Sequence, residues 1–241
     1  MKTLFRTVAL ACVWLLNSLA SAADRLPVTP YQARYEVYAS GFAVGQAVIT
    51  LIATGPESYQ MRSEVRPNGL VALFASSRID EQASGEVHKG AIQPQQYERV
   101  LDAGRKSSRM HAQFDWAAGE LRARYDADQA TLPLTPGVLD PLSLQLAVMS
   151  DMQRGQIPSQ YRLVDRTEIK TYLIRSQGEE ILETSLGSLH TLRINQYTPG
   201  KTRMTTFWVA PELQYLPVRI MQEKRGKEEI RMDIRAVERS P

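Results

Sequence analysis

The sequence predicts a mainly β fold: a single domain with a curved antiparallel sheet, an open barrel or β-roll, and one or two short helices. Three observations predict it. Apolar residues recur at every second position through several segments, the mark of strands with one buried face. Turn signals recur at close spacing, as in a meander of hairpins rather than a chain of βαβ crossovers. One segment combines a helix start, a wide apolar arc and a helix stop.

The strands are read in order. Tyr31, Ala33, Tyr35, Val37 and Ala39 alternate with Gln32, Arg34 and Glu36, and Gly41 marks a turn. Ala47, Ile49, Leu51 and Ala53 form the next strand, and Gly55-Pro56-Glu57-Ser58 turns the chain into Tyr59 to Val65. Met110, Ala112, Phe114 and Trp116 alternate with Arg109, His111, Gln113 and Asp115, and Ala118-Gly119 leads into Leu121 to Tyr125. Ile230, Met232 and Ile234 alternate with Arg231, Asp233 and Arg235. Gly85, Gly90, Gly104, Gly119, Gly178, Gly187, Gly200 and Gly226 read as further turns. A sheet this long accumulates twist and exposes edges, so it is expected to curl.

Two segments break the alternation. Gly69 to Ala75 is apolar without a period and reads as a short helix or buried turn. Asp140-Pro141 opens a helix, with Asp as N-cap and Pro in the first turn, and Gly155 closes it. Leu142, Leu146 and Met149 lie along one stripe; Leu144, Val148 and Met152 lie along a neighbouring one. So wide an arc is buried on more than one side. Either the helix plugs the concave face of the sheet, or it is a lid whose Leu144, Val148 and Met152 meet a hydrophobic ligand.

The N-terminus reads as a cleaved secretory signal over residues 1–22. Lys2 and Arg6 are basic, Thr7 to Leu16 is apolar, and Ala20-Ser21-Ala22 is a small-x-small cleavage site. The mature chain then begins at Ala23 or Asp24, in the periplasm. The apolar run is shorter than the about 20 residues a bilayer span needs, and no second run of that length follows. Cys12, the single cysteine, lies within the signal. The apolar run continues past it through Leu16, so it is not read as a lipidated residue. A mature chain without cysteine has no disulfides, thiol nucleophiles or cysteine-held metals. Losing Lys2 and Arg6 lowers the net charge from +3 to +1. The basic run Lys224-Arg225-Gly226-Lys227 passes directly into Glu228-Glu229. No nucleic-acid surface is indicated.

Chemistry is sparse. His88, His111 and His190 are far apart, with no metal-ligand spacing. There is no G-x-S-x-G elbow, phosphate loop or dinucleotide fingerprint. Ser143 lies in the first turn of the helix and supports its start. Asp80-Glu81, Glu179-Glu180 and Glu228-Glu229 are neighbours in sequence, so on strands they face opposite ways and cannot share a proton. Tyr31 and Tyr35 sit on the apolar face, Tyr38 opposes them, and Trp208 reads as a strand-end core residue. No cofactor, metal or catalytic residue is assigned.

Several segments together resemble the bacterial exported family DUF3108. They are Asp140-Pro141-Leu142-Ser143 with Gly155 to Tyr161, and Phe207 to Ile220 with its Leu216-Pro217-Val218. Gly69-Leu70 through Ser77-Arg78-Ile79-Asp80, and Glu183-Thr184-Ser185-Leu186-Gly187, also match. The similarity runs from about Tyr31 to the C-terminus and departs at Glu212-Leu213, where an Asp is more usual. It implies a β-rich exported protein and gives no reaction. Asp140, Pro141, Gly155, Gly187 and Pro217 all have structural roles as caps, turns and a strand entry.

The leading expectation is a noncatalytic periplasmic binding or accessory protein, holding a lipid, an acyl chain or an apolar protein segment. The alternative is an envelope assembly protein that acts through strand edges or loops. A hydrolase of envelope polymers would require Arg78, Asp80, His88 and His190 to converge in one cleft.

Overall fold

The alternating segments join, hairpin by hairpin, into one sheet of 15 strands. The computed structural model describes residues 26–68, 78–103 and 106–239. The N-terminal half holds β1 (Tyr31–Ala39), β2 (Phe42–Ala53), β3 (Ser58–Pro67), β4 (Arg78–His88), β5 (Ala91–Asp102), β6 (Ser108–Asp115), β7 (Glu120–Tyr125) and β8 (Asp128–Pro133). After β9 (Val138–Leu139) comes the helix α1 (Pro141–Gln153). The second half holds β10 (Gln160–Asp165), β11 (Glu168–Thr184), β12 (Gly187–Tyr197), β13 (Arg203–Ala210), β14 (Leu216–Lys224) and β15 (Lys227–Arg239).

The order across the sheet is β8-β7-β6-β5-β4-β3-β2-β1-β15-β14-β13-β12-β11-β10-β9. Two meanders are thus sewn together where β15 returns to pair with β1, Tyr31 opposite Arg239 and Ala39 opposite Ile230. Every pair is antiparallel except the two-residue pairing of β9 with β10. The sheet is curved and open, with β8 and β9 at its edges. Burial follows the predicted period: Tyr31, Ala33, Tyr35 and Val37 are buried on β1, and Met110, Ala112 and Phe114 on β6.

Local chemistry sets the hairpins. Ser40-Gly41, Lys89-Gly90 and Arg225-Gly226 each place two consecutive residues at positive φ, the backbone of a two-residue turn whose twist matches the strands it joins. Two predicted turns are something else. Gly178 lies inside β11, at a register shift between Ser176 and Glu179. Gly85 lies inside β4 opposite Tyr59, and a Cβ there would come within 2.6 Å of the Tyr59 hydroxyl. Gly85 is the space into which Tyr59 folds. The predicted turn at Gly104, the predicted helix over Gly69 to Ala75 and the secretory signal with Cys12 lie outside the described residues.

On the inner face, a row of small and large side chains crosses five strands: Met61, Ala83, Tyr97, Ala112 and Ala123. All five are buried. The alanines leave the depth in which α1 sits against β3, β4, β5 and β10.

The far part of the β11–β12 hairpin leaves this surface. Its turn residue Ser185 donates a 2.6 Å hydrogen bond to the carbonyl of Ile234 on β15. Beneath this arm lies Trp208, on the face of β13 opposite Phe207 and Val209. Its ring is buried, its indole N–H donates to Glu180, and the Arg219 guanidinium lies 5.9 Å from its ring centre.

Candidate functional site

α1 begins as its sequence dictates. Asp140 has an extended backbone, and its Oδ1 accepts from the Leu142 and Ser143 amides, each at 2.9 Å. At the other end Arg154 is the C-cap and Gly155 follows at φ +70°. The Gly155 amide donates to Met152 and the Gln156 amide to Asp151, both at 2.9 Å, which satisfies two terminal carbonyls.

Tyrosines fasten the helix to the sheet. The Gln145 amide donates to the Tyr31 hydroxyl at 2.7 Å. The Tyr59 hydroxyl and Ser143 Oγ are 2.7 Å apart. Tyr161 donates to Asp151 at 2.7 Å. Tyr35 anchors the strand that faces the helix, donating to the Pro217 carbonyl at 2.8 Å. Burial holds the Tyr35 and Tyr59 hydroxyls well above the ordinary phenol range, with the Asp140 charge adding to the effect at Tyr59. These phenols act as neutral hydrogen-bonding groups. The helix is thus tied to the sheet at three places.

Ser143 Oγ also donates to Asp140 Oδ2 at 2.5 Å. The linked Asp140, Ser143 and Tyr59 have the residue types of a hydrolytic site, but Asp140 and Ser143 are both fully buried and neither borders a cavity. Burial lifts the Asp140 carboxyl from 3.8 to about 6; its hydrogen bonds to Ser143 and Leu142 oppose the rise and the nearby Glu81 charge adds to it. The group is a desolvated helix cap.

A cavity of about 1010 Å³ lies between α1 and the inner face of the sheet. Leu144, Val148 and Met152, the stripe predicted to meet a ligand, line it. Leu142 and Met149 of the other stripe border it too, and Leu146 alone of the six is fully withdrawn from it. The two stripes are therefore not the two sides of the helix. The sheet side of α1 is made by Ser143, Leu146, Ala147 and Ser150, all buried away from the cavity.

The opposite wall is built in rungs by the strand registers. Val209 pairs with Pro217; Ile194 with Phe207, Ile220 and Met232; Gln196 with Thr205, Gln222 and Ile230. All of these line the cavity. Met152, Ile194 and Val209 pack together as a small core of their own. Ile157 and Ile230, which are 45% and 38% exposed, line the same space, so its apolar surface reaches solvent.

Of the other predicted positions, Pro217 stands second in β14 and lines the cavity, while Gly187 begins β12 after the hairpin turn. Arg78, Asp80, His88 and His190 do not converge. Arg78 and Asp80 begin β4, where Asp80 pairs with Arg66 and Arg78, and His88 ends the same strand. Ten strand steps at about 3.3 Å separate Arg78 from His88 by roughly 33 Å. His190 is exposed on β12, opposite Ile181. Among the described residues no three His, Cys, Asp or Glu side chains are grouped to hold a metal ion, and no helix is long and apolar enough to cross a membrane.

Sequence reasoning missed Glu81, Arg99 and the tyrosine tethers. Glu81 and Arg99 border the cavity from β4 and β5, 3.4 Å apart, and Tyr97 donates to Glu81 at 2.6 Å. Pairing across strands creates this group, and no local motif marks it.

Residues 34–234 match the model of DUF3108, a family described as proteins of unknown function. The chain belongs to this family. DUF3108 membership covers the whole of the sheet between β1 and β15 and includes every cavity residue named above. The sequence matches no curated protein. Among solved structures, the chain is similar to a β-barrel-like protein of the domain of unknown function DUF1849 from Brucella abortus. That likeness has a TM-score of 0.55 at 13% identity, over 90% of this chain and 99% of that one. It is a likeness of fold. A Bacteroides fragilis protein with a YmcC-like fold aligns at 11% identity over 87% of this chain and 95% of its own, with a TM-score of 0.32.

Proposed function

We propose that this DUF3108 protein is a noncatalytic periplasmic binding or accessory protein that holds a lipid, an acyl chain or an apolar protein segment. One observation carries the reading. The sheet and its pinned helix leave about 1010 Å³ between them, bounded by Leu144, Val148, Met152, Ile194, Phe207 and Val209. That is the upper end of the about 300–1,000 Å³ usual for ligand sites. Apolar side chains around so large a space gain little by facing water, and an apolar occupant would remove them from it. The N-terminal pattern of Lys2, Arg6 and Ala20-Ser21-Ala22 supports export.

The strand-edge alternative rests on the arm of β11, whose residues beyond Leu173 pair with β12 alone and are mostly exposed. The outermost strands offer less: β8 has six residues and ends in Pro133, and β9 is two buried residues, and short edges resist strand addition.

The test is to fill the space. Val148→Trp with Thr205→Trp places two indoles in the cavity from opposite walls. Binding of the neutral apolar dye Nile red is measured by fluorescence, with far-UV circular dichroism to establish folding. The folded double variant should lose at least about tenfold in affinity, the order expected when an apolar pocket is obstructed. Unchanged dye binding by a folded variant would refute the cavity as the binding site.

A further inference from the structure

We infer that the ligand is an anionic amphiphile, its acyl chain lying along the apolar rungs and its carboxylate or phosphate head meeting Lys201, Arg203 and Lys224. The inference rests on the cavity reading and adds polarity and direction to it.

The register supplies the argument. Along the β13–β14 ladder the paired cavity-lining residues change in a fixed order. Val209–Pro217 and Phe207–Ile220 are apolar, Thr205–Gln222 is neutral and polar, and Arg203–Lys224 is doubly cationic. β12 repeats the gradient with Ile194 and then Gln196. Lys201, in the turn between β12 and β13, lines the cavity at the same end. Two cations directly opposite on neighbouring strands repel each other. Arg203 is offset by an exposed pair with Glu229 at 3.0 Å. Lys201 and Lys224 have no carboxylate partner among the described residues.

The other charges bordering the cavity are already matched. Lys170 pairs with Asp165 and Glu168 at 2.6 and 2.9 Å, and Glu81 is held by Arg99 and Tyr97. The surplus is thus positive and lies at one end. Toward the opposite end Met152, Ile194 and Val209 pack together. An apolar pocket with a cationic mouth complements a chain with an anionic head.

The experiment uses the protein after extraction of bound lipid, with Nile red as the reporter. Competitors share a sixteen-carbon chain and are kept below their micelle concentrations: palmitate, hexadecyl phosphate, hexadecanol and hexadecyltrimethylammonium. Inorganic phosphate is added alone. Both anions should displace the dye at concentrations about tenfold below hexadecanol, an advantage of the size a few exposed cations provide. The advantage should shrink at high salt. The triple variant Lys201→Gln/Arg203→Gln/Lys224→Gln, altered at exposed positions only, should lose the anions' advantage over hexadecanol. Lys201→Gln/Lys224→Gln, which leaves the Arg203–Glu229 pair intact, should lose part of it.

Equal displacement by palmitate and hexadecanol, or stronger displacement by the cationic amphiphile, would overturn the anionic head while leaving the cavity reading in place. Binding of phosphate as tight as hexadecyl phosphate would identify a free-anion site and overturn the amphiphile. Failure of Nile red and every sixteen-carbon compound to bind would overturn both readings.

Discussion

Replacing Asp140 by Asn should make the protein more stable at neutral pH, although it removes the charge from a helix N-cap. The carboxyl is fully buried and its pKa is raised from 3.8 to about 6. A folded-state value above the unfolded one means that the fold favours the protonated acid. Its stabilising effect is full below about pH 4 and is lost as the pH rises to about 6. Each tenfold change in proton affinity is worth about 1.4 kcal/mol, so ionisation costs roughly 3 kcal/mol at pH 7. Asparagine mimics the protonated acid. Its Oδ1 can keep both amide bonds, and its Nδ2 can donate to Ser143 Oγ, leaving that hydroxyl to donate to Tyr59. The assay is urea unfolding of both proteins at pH 4, 5, 6 and 7. The two should be nearly equal at pH 4, with Asp140→Asn gaining up to about 3 kcal/mol by pH 7. Asp80 and Glu36, whose pKa values arginine pairing lowers, act in the opposite direction in both proteins and cancel in the difference. Parallel curves, or an asparagine variant weaker at every pH, would refute the reasoning.

Three other outcomes are expected. Leu146→Ala, at a fully buried position away from the cavity, should cost about 2–5 kcal/mol in urea unfolding. Leu144→Ala should fall at the low end, because it enlarges a space that already exists. Gly85→Ala should cost about 1–3 kcal/mol by crowding the Gln93 carbonyl and displacing the Tyr59 ring, and the Tyr59→Phe background should not rescue it, because the Gln93 carbonyl is the nearest atom to the new methyl and the Tyr59 ring carbon lies within 2.8 Å of it. Intact-mass analysis of the exported protein should find a chain beginning near Ala23 with no acyl group; an acylated Cys12 at the N-terminus would contradict the signal reading.

The strands that were legible are those whose two faces differ. β1, β2, β6 and β15 read directly from alternation, because one face packs and the other is wet. β11 did not read, because most of its 17 residues are partly or fully exposed and its far half leaves the sheet as an arm. The helix was legible from Asp140-Pro141 and Gly155, since caps are local chemistry. Its orientation was not: Leu142 and Met149 share the cavity with Leu144, Val148 and Met152, and only the packing on the sheet determines which arc is core. The cavity wall was hidden for a related reason. Gln196, Thr205 and Gln222 face inward, so polar residues there look like a solvent face. Lys224 read as part of a basic run neutralised by Glu228-Glu229, yet register sets it opposite Arg203 inside the mouth. The tyrosine tethers span separations such as 84 residues from Tyr59 to Ser143 and 114 from Tyr31 to Gln145. No local pattern encodes such contacts.

The central claim is that the cavity carries an apolar ligand, and native mass spectrometry of the protein purified from its own cells, before and after organic extraction, tests it most directly. A discrete added mass before extraction, removed by the solvent and recovered in the extract as one lipid class, is the predicted result. Protein at the bare polypeptide mass in both samples, after isolation gentle enough to retain bound lipid on a known carrier, would contradict it.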